Sequence, residues 1–181
     1  MTKLAKVITQ KKIHSGQFSV RMDEFIFNNK KIKKEIVEHS PSVGIIPIIN
    51  DQVLLITQYR HAVGKTLLEI PAGKIEKNES IKIAAKRELY EETGYTGKFF
   101  HLFNWYLVPG YGTEIMSIFV ATNLKMKSIS YGYDDDENIK LKRLKLKTAF
   151  KKCITGDIVD CKTIAALLMY KEYSKSLNLT K

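Results

Sequence analysis

Between Gly73 and Tyr95 the chain reads GKIEKNESIKIAAKRELYEETGY, a helix-forming stretch with strand-like runs on both sides. No other segment restricts the fold as much, because one helix must bury an apolar side and still carry the acids of RELYEE. If residues 79–93 are helical, Ile81, Ala85 and Leu89 fall four apart and form a core-facing stripe. Ala84, Glu88 and Glu92 form the adjacent stripe, with Glu91 three positions beyond Glu88. Asn78 is the expected cap, and Gly94 stands where a left-handed stop belongs. Carboxylates this dense repel and raise one another's pKa unless something positive sits among them. Two readings stay open here. One is a solvated acidic face; the other is an oxygen-rich site for a hard divalent cation, which takes carboxylates with water and substrate phosphate. Arg87, eight positions after Glu79, can pair with that acid and anchor the preceding loop.

The flanking sequence sets the class. Four short alternating runs, KVITQKKI, QFSVRM, EFIFNN and KKIKKEIVEH, are separated by turn residues such as Ser15-Gly16 and Asn28-Asn29. They predict a small antiparallel sheet. GIIPII and QVLLITQY are two buried strands joined at Asn50-Asp51, and LLEIPAG is a short strand entering a loop. FFHLFNWYLV and EIMSIFVATNL are further strands, YGYDDDEN is a polar loop, and KTAFKKCI and KTIAALLMYKEYSKSL are closing helices. Strands, a helix, strands and then helices predict an α+β fold, an α/β/α sandwich with a mixed sheet between helices. The expected division is a β-sheet subdomain over 1–40 and a main domain over 41–181.

Composition removes other classes. With 181 residues, 44% hydrophobic and 27% charged, the chain can bury a core. No run approaches the roughly 20 apolar residues of a membrane helix, and the first residues lack a signal-peptide core, so a cytoplasmic protein without a membrane partner is expected. Cys153 and Cys161 have no partner histidines nearby and read as reduced thiols. The net charge of +11 suggests a polyanion partner, but it comes from scattered lysines, and the arginines are Arg21, Arg60, Arg87 and Arg143. Nucleic-acid readers favour arginine for planar contacts, so nucleic acid is not expected; lysine spread over every face serves solubility and would equally suit a small phosphate-bearing substrate, so charge alone does not choose between them.

Spacing then sharpens the choice. Gly73, Glu79, Arg87-Glu88-Leu89, Glu91-Glu92 and Gly94-Tyr95 resemble the signature of the Nudix hydrolases, GX5EX7REUXEEXGU, where U is a bulky aliphatic residue. Every fixed position matches; the one departure is Tyr95, at a packing position. The resemblance implies the family's fold, with the box as a loop, helix and loop, and its reaction, hydrolysis of a nucleoside diphosphate linked to another moiety. It implies that Glu88 and Glu92 are the main Mg2+ ligands, with Glu91 assisting and the Ala72 carbonyl contributing, and with Mn2+ as a substitute ion. It also implies that Arg87 and Glu79 orient the site and that Gly73 lets the loop turn tightly.

Segments outside the box, ITQYRHAVGKTLLEIPAG and VPGYGTE, resemble the ADP-ribose pyrophosphatase branch. This implies ADP-ribose as substrate, giving AMP and ribose 5-phosphate, with another nucleotide sugar such as GDP-mannose or UDP-glucose as the alternative. Implied substrate contacts are Arg60, Glu69, Pro109, Gly110, Glu114 and Lys34, the last standing where many relatives have arginine. The branch usually takes its base from a Glu on a loop after the box helix. Here that points to Glu137, with Asp135 and Asp136 as alternates. It also implies a homodimer built through the N-terminal sheet.

Overall fold

The computed structural model describes residues 6–16, 18–127 and 139–176. They form two compact units, one drawn from Met1–Pro41 with Trp105–Met116 and the other from Ser42–Asn104 with Ser117–Lys181.

The first unit is a three-stranded antiparallel sheet, β1 (Lys6–Ser15), β2 (Ser19–Phe27) and β3 (Lys30–Glu38), in the order β1-β2-β3. Asn28 and Asn29 turn β2 into β3 at φ 51° and 62°, the left-handed pair that a tight hairpin needs and asparagine tolerates. The two runs expected over QFSVRM and EFIFNN are one strand. Asp23, a residue type common in turns, makes none here: it is buried in the strand with Arg21 Nε donating to it at 2.8 Å. Residues 105–116 fasten to the end of β3: Val37 N–H donates to Tyr111 O at 2.8 Å, and Thr113 N–H to Val37 O at 3.1 Å.

The second unit holds β4 (Ser42–Ile49), β5 (Gln52–Arg60), β6 (Lys65–Glu69), β7 (Ala72–Lys74), α1 (Ile81–Thr93), most of β8 (Tyr95–Tyr106), most of β9 (Ile115–Met126), β10 (Lys140–Lys145), α2 (Leu146–Thr155) and α3 (Cys161–Ser176). Their mixed sheet runs β10-β5-β4-β9-β8, with β6 added on β5 and β7 on β4. Val43 and Ile45 of β4 share a core with Ala84, Ala85 and Leu89 of α1. Ile46 and Ile48 are buried too and, by the period-two alternation of a strand, face the other way. That face is where α3 packs on β4, with α2 against α3 and β5. The result is the expected layering of helix, sheet and helix.

Details of α1 differ from expectation. Ser80, not Asn78, is the N-cap, its Oγ accepting from Ile83 N–H at 3.3 Å. Asn78 lies in the preceding turn at φ 67°. The later start leaves the first turn at the surface, so Ile81 is 42% exposed. The buried face is Ala84, Ala85, Glu88, Leu89, Glu92 and Thr93. Gly94 ends the helix at φ 73°, donating to Tyr90 O. The lysine-rich β10 is a strand that alternation alone does not reveal. It pairs with β5 from Lys140↔Thr57 to Lys145↔Gln52, and charged residues suit an edge position.

Candidate active site

The site grows from the packing of α1 on β7 and β4. Gly73 lies inside β7, paired with Val43, and its φ is not among the positive ones. The tight turn expected of it is therefore absent, and space is the reason for glycine. A Cβ at Gly73 would sit 2.1 Å from the Glu88 carboxyl carbon and Oε1. One residue earlier, Ala72 N–H donates to Glu92 Oε2 at 3.0 Å. Glu88 and Glu92, 8% and 6% exposed, are thus held against the strand that precedes the helix.

Arg87 is the positive group among the acids. Its Nε and Nη2 donate to Glu79 at 3.0 and 2.9 Å, the pairing its spacing predicted. Its Nη1 reaches both Glu88 Oε1 at 2.8 Å and Glu91 Oε2 at 2.9 Å, and Nη2 also donates to Lys74 O at 2.9 Å. One planar guanidinium thereby joins the loop and two helix acids, a geometry lysine cannot reproduce. Glu79, whose carboxyl accepts Glu76 N–H at 3.0 Å, is held ionised by Arg87 below the usual carboxylate range. Burial pushes Glu88 the other way, up to about 7, although Arg87 opposes the rise.

The donor chemistry of Glu88, Glu91, Glu92 and the Ala72 carbonyl is all hard oxygen and fits a hard divalent cation. A buried carboxylate that holds its proton to about pH 7 is under-compensated and gains from added positive charge. Among the described residues no three acids, histidines or cysteines gather around one point in this arrangement. Arg87 draws Glu88 and Glu91 to itself instead.

A second cluster flanks the box. Arg60, at the end of β5, donates from Nε to Glu69 Oε1 at 2.9 Å and from Nη2 to Glu69 Oε2 at 2.7 Å. Glu69 is wholly buried and also accepts from Lys162 Nζ. Burial disfavours its charge, but Arg60 and Lys162 outweigh that and hold its pKa below the usual value. Sequence reasoning did not single out Lys162. What the sequence does offer is Asp160 before α3 with Thr163 three residues on, a capping pair that marks the helix start.

The other expected contacts lie in the first unit. Lys34 is exposed on β3 opposite Asp23. Pro109 and Gly110 form the exposed tip of a turn closed by Tyr111 N–H and Gly112 N–H, which donate to Val108 O at 3.1 and 2.8 Å. Glu114 Oε1 lies 3.6 Å from His39 Nδ1. Glu137, Asp135 and Asp136 lie outside the described residues.

Known proteins resemble this chain along most of its length. The profile of the family described as NUDIX domain matches residues 38–156. The chain is 32% identical over 180 residues to an ADP-ribose pyrophosphatase of Bacillus subtilis (strain 168), covering 97% of each chain. It is 36% identical over 166 residues to a methanol dehydrogenase activator of Bacillus methanolicus, covering 90% of each. Among solved structures, an ADP compounds hydrolase superposes with a TM-score of 0.86 over 98% of this chain and 97% of its own, at 24% identity, a likeness of fold.

Proposed function

This chain belongs to the NUDIX-domain family, and on that premise we propose that it hydrolyses the diphosphate bond of ADP-ribose, with a divalent cation, to AMP and ribose 5-phosphate. The observation that carries the reading is the seating of Glu88 and Glu92 against Gly73 and Ala72, with Arg87 tying the helix acids to the loop. The likeness to the Bacillus subtilis enzyme along 97% of both chains supports ADP-ribose as the substrate. Glu88 and Glu92, assisted by Glu91 and the Ala72 carbonyl, would hold the cation. All four are hard oxygen donors, which suit Mg2+, and Mn2+ would substitute. When bound, such an ion supplies charge neutralisation at the diphosphate.

The chain's own residues do the rest. Arg87 and Glu79 keep the loop in register with the helix. Arg60 spends one edge of its guanidinium on Glu69 and binds the diphosphate by charge-assisted hydrogen bonds. Lys34, Glu69, Pro109, Gly110 and Glu114 complete the contacts in this reading. Glu137 takes the proton of the attacking water, with Asp135 or Asp136 as its alternates. The N-terminal sheet of residues 1–40 serves a homodimer. No helix of the described residues is long and apolar enough to cross a membrane, and a cytoplasmic site of action is part of the proposal.

The test is a product assay with Mg2+ over ADP-ribose, GDP-mannose, UDP-glucose, dinucleoside polyphosphates and capped RNA. AMP and ribose 5-phosphate, formed from ADP-ribose with the highest kcat/KM and abolished by EDTA, are expected. A higher kcat/KM on a different nucleotide sugar transfers the assignment to that substrate; no turnover of any compound overturns it. The resemblance to the methanol dehydrogenase activator favours a second reading, stimulation of a dehydrogenase. Adding the protein to methanol dehydrogenase, with and without Mg2+, tests it directly.

A further inference from the structure

The first turn of α3 is bound to the segment leading into the box at two points. Thr163 Oγ1 accepts from Ile70 N–H at 2.9 Å and donates to Asp160 Oδ2 at 2.5 Å. Lys162 Nζ donates to Glu69 Oε2 and pairs with Asp160 Oδ1 at 3.1 Å. Glu69 thus receives two cations, although Arg60 alone already matches its charge with a bidentate pair. A lysine side chain only 12% exposed is costly to bury even between two carboxylates, Glu69 and Asp160. Stability is therefore a poor explanation for it.

Arg60 supplies a better one. Its side chain is 38% exposed, and its Nη1 makes no hydrogen bond among the described residues. Glu92 of the box is close enough to act on its charge. An incoming anion that draws on this guanidinium competes with Glu69 for it. Without a second cation, any turn of Arg60 towards the anion would strip a buried carboxylate of its partner. That cost would be subtracted from binding.

We propose that Lys162 is a positioning residue for diphosphate binding: by sharing Glu69 Oε2 with Arg60, it keeps the buried carboxylate compensated while Arg60 offers its Nη1 edge to the substrate. The inference rests on the diphosphate-hydrolase reading of the site. Its signature is in binding. Lys162→Met and the milder Lys162→Gln should raise the KM for ADP-ribose roughly tenfold, the scale of one weakened charge-assisted hydrogen bond. In both variants kcat should change less than about threefold, and Lys162→Arg should bring KM back to within about threefold of wild type.

A purely structural brace would lower Tm and leave KM where it was. That result in any variant that folds, or a fall in kcat at constant KM, overturns the proposal. Calorimetric titration with ADP separates it from the parent reading. If the wild type does not hydrolyse ADP-ribose, that reading fails while the ADP affinity of Lys162→Gln still decides the role of Lys162. If the wild type hydrolyses ADP-ribose and neither KM nor ADP affinity moves, the Lys162 proposal alone is lost.

Discussion

At Gly73 the backbone conformation is ordinary, so any residue could adopt it; what alanine could not do is share the space of the Glu88 carboxyl group 2.1 Å away. Gly73→Ala must push Glu88 off β7. Because that carboxylate is the flexible end of its side chain, the fold should survive and the chemistry should not. We expect Tm to fall by only a few degrees, as for about 1 kcal/mol in a domain of this size, and turnover to drop at least about a hundredfold, the scale of a displaced catalytic group. A normal rate would mean that the position of Glu88 is immaterial. Arg87 raises a different question, one of shape. It serves Glu79, Glu88, Glu91 and the Lys74 carbonyl together. Lysine keeps the charge but lacks the fork. Arg87→Lys should therefore cost nearly as much activity as Arg87→Ala in steady-state assays, and a lysine variant close to wild type would reduce Arg87 to a mere counter-charge.

Single elements were legible in the sequence in proportion to how local their causes are. Most strand runs, the Gly94 stop and the Glu79–Arg87 pair depend on residues a few positions apart, and these appear as read. Asn78 and Ser80 are both capping residues two positions apart, and the choice between them depends on the path of the loop, which composition does not encode. β10 was missed because KLKRLK carries the lysines of an edge strand, and its partners on β5 lie 83 to 93 positions away. Lys162 was missed for the same reason, its contact with Glu69 spanning 93 positions.

That long-range tie predicts a pH response of α3 and the box lead-in together. Glu69 is held ionised below the usual range by Arg60 and Lys162, against its burial. Its folded pKa is below the unfolded value of 4.5, so its contribution is full above pH 4.5 and is lost as pH falls through the folded pKa. Glu69→Gln removes the carboxylate shared by part-exposed Arg60 and buried Lys162, which keeps Asp160, and should cost about 2 kcal/mol near pH 6. In urea unfolding at pH 6, 5, 4 and 3, the gap between wild type and variant should narrow below pH 4.5. A gap constant down to pH 3 would show that Glu69 is not the titrating group.

For the whole molecule, β1 raises the main outstanding question. All ten of its residues are exposed, and Val7 and Ile13 among them are 52% and 47% exposed. β1 is an outer strand of its sheet, and apolar side chains set along an outer strand invite pairing with another chain. The excess of scattered lysine, part of a net charge of +11, argues against a second copy through general repulsion, but charges spaced beyond about 8–10 Å are screened at physiological salt. Local apolar burial, at about 25 cal/mol per Å², outweighs that residual repulsion once several such side chains are covered. The wild type should accordingly run in light scattering at twice the 20.8 kDa chain mass. The double variant Val7→Lys, Ile13→Lys should run at 20.8 kDa with its far-ultraviolet dichroism unchanged. If the wild type is itself monomeric at tens of micromolar in 0.15 M salt, the exposed strand serves something other than a second copy.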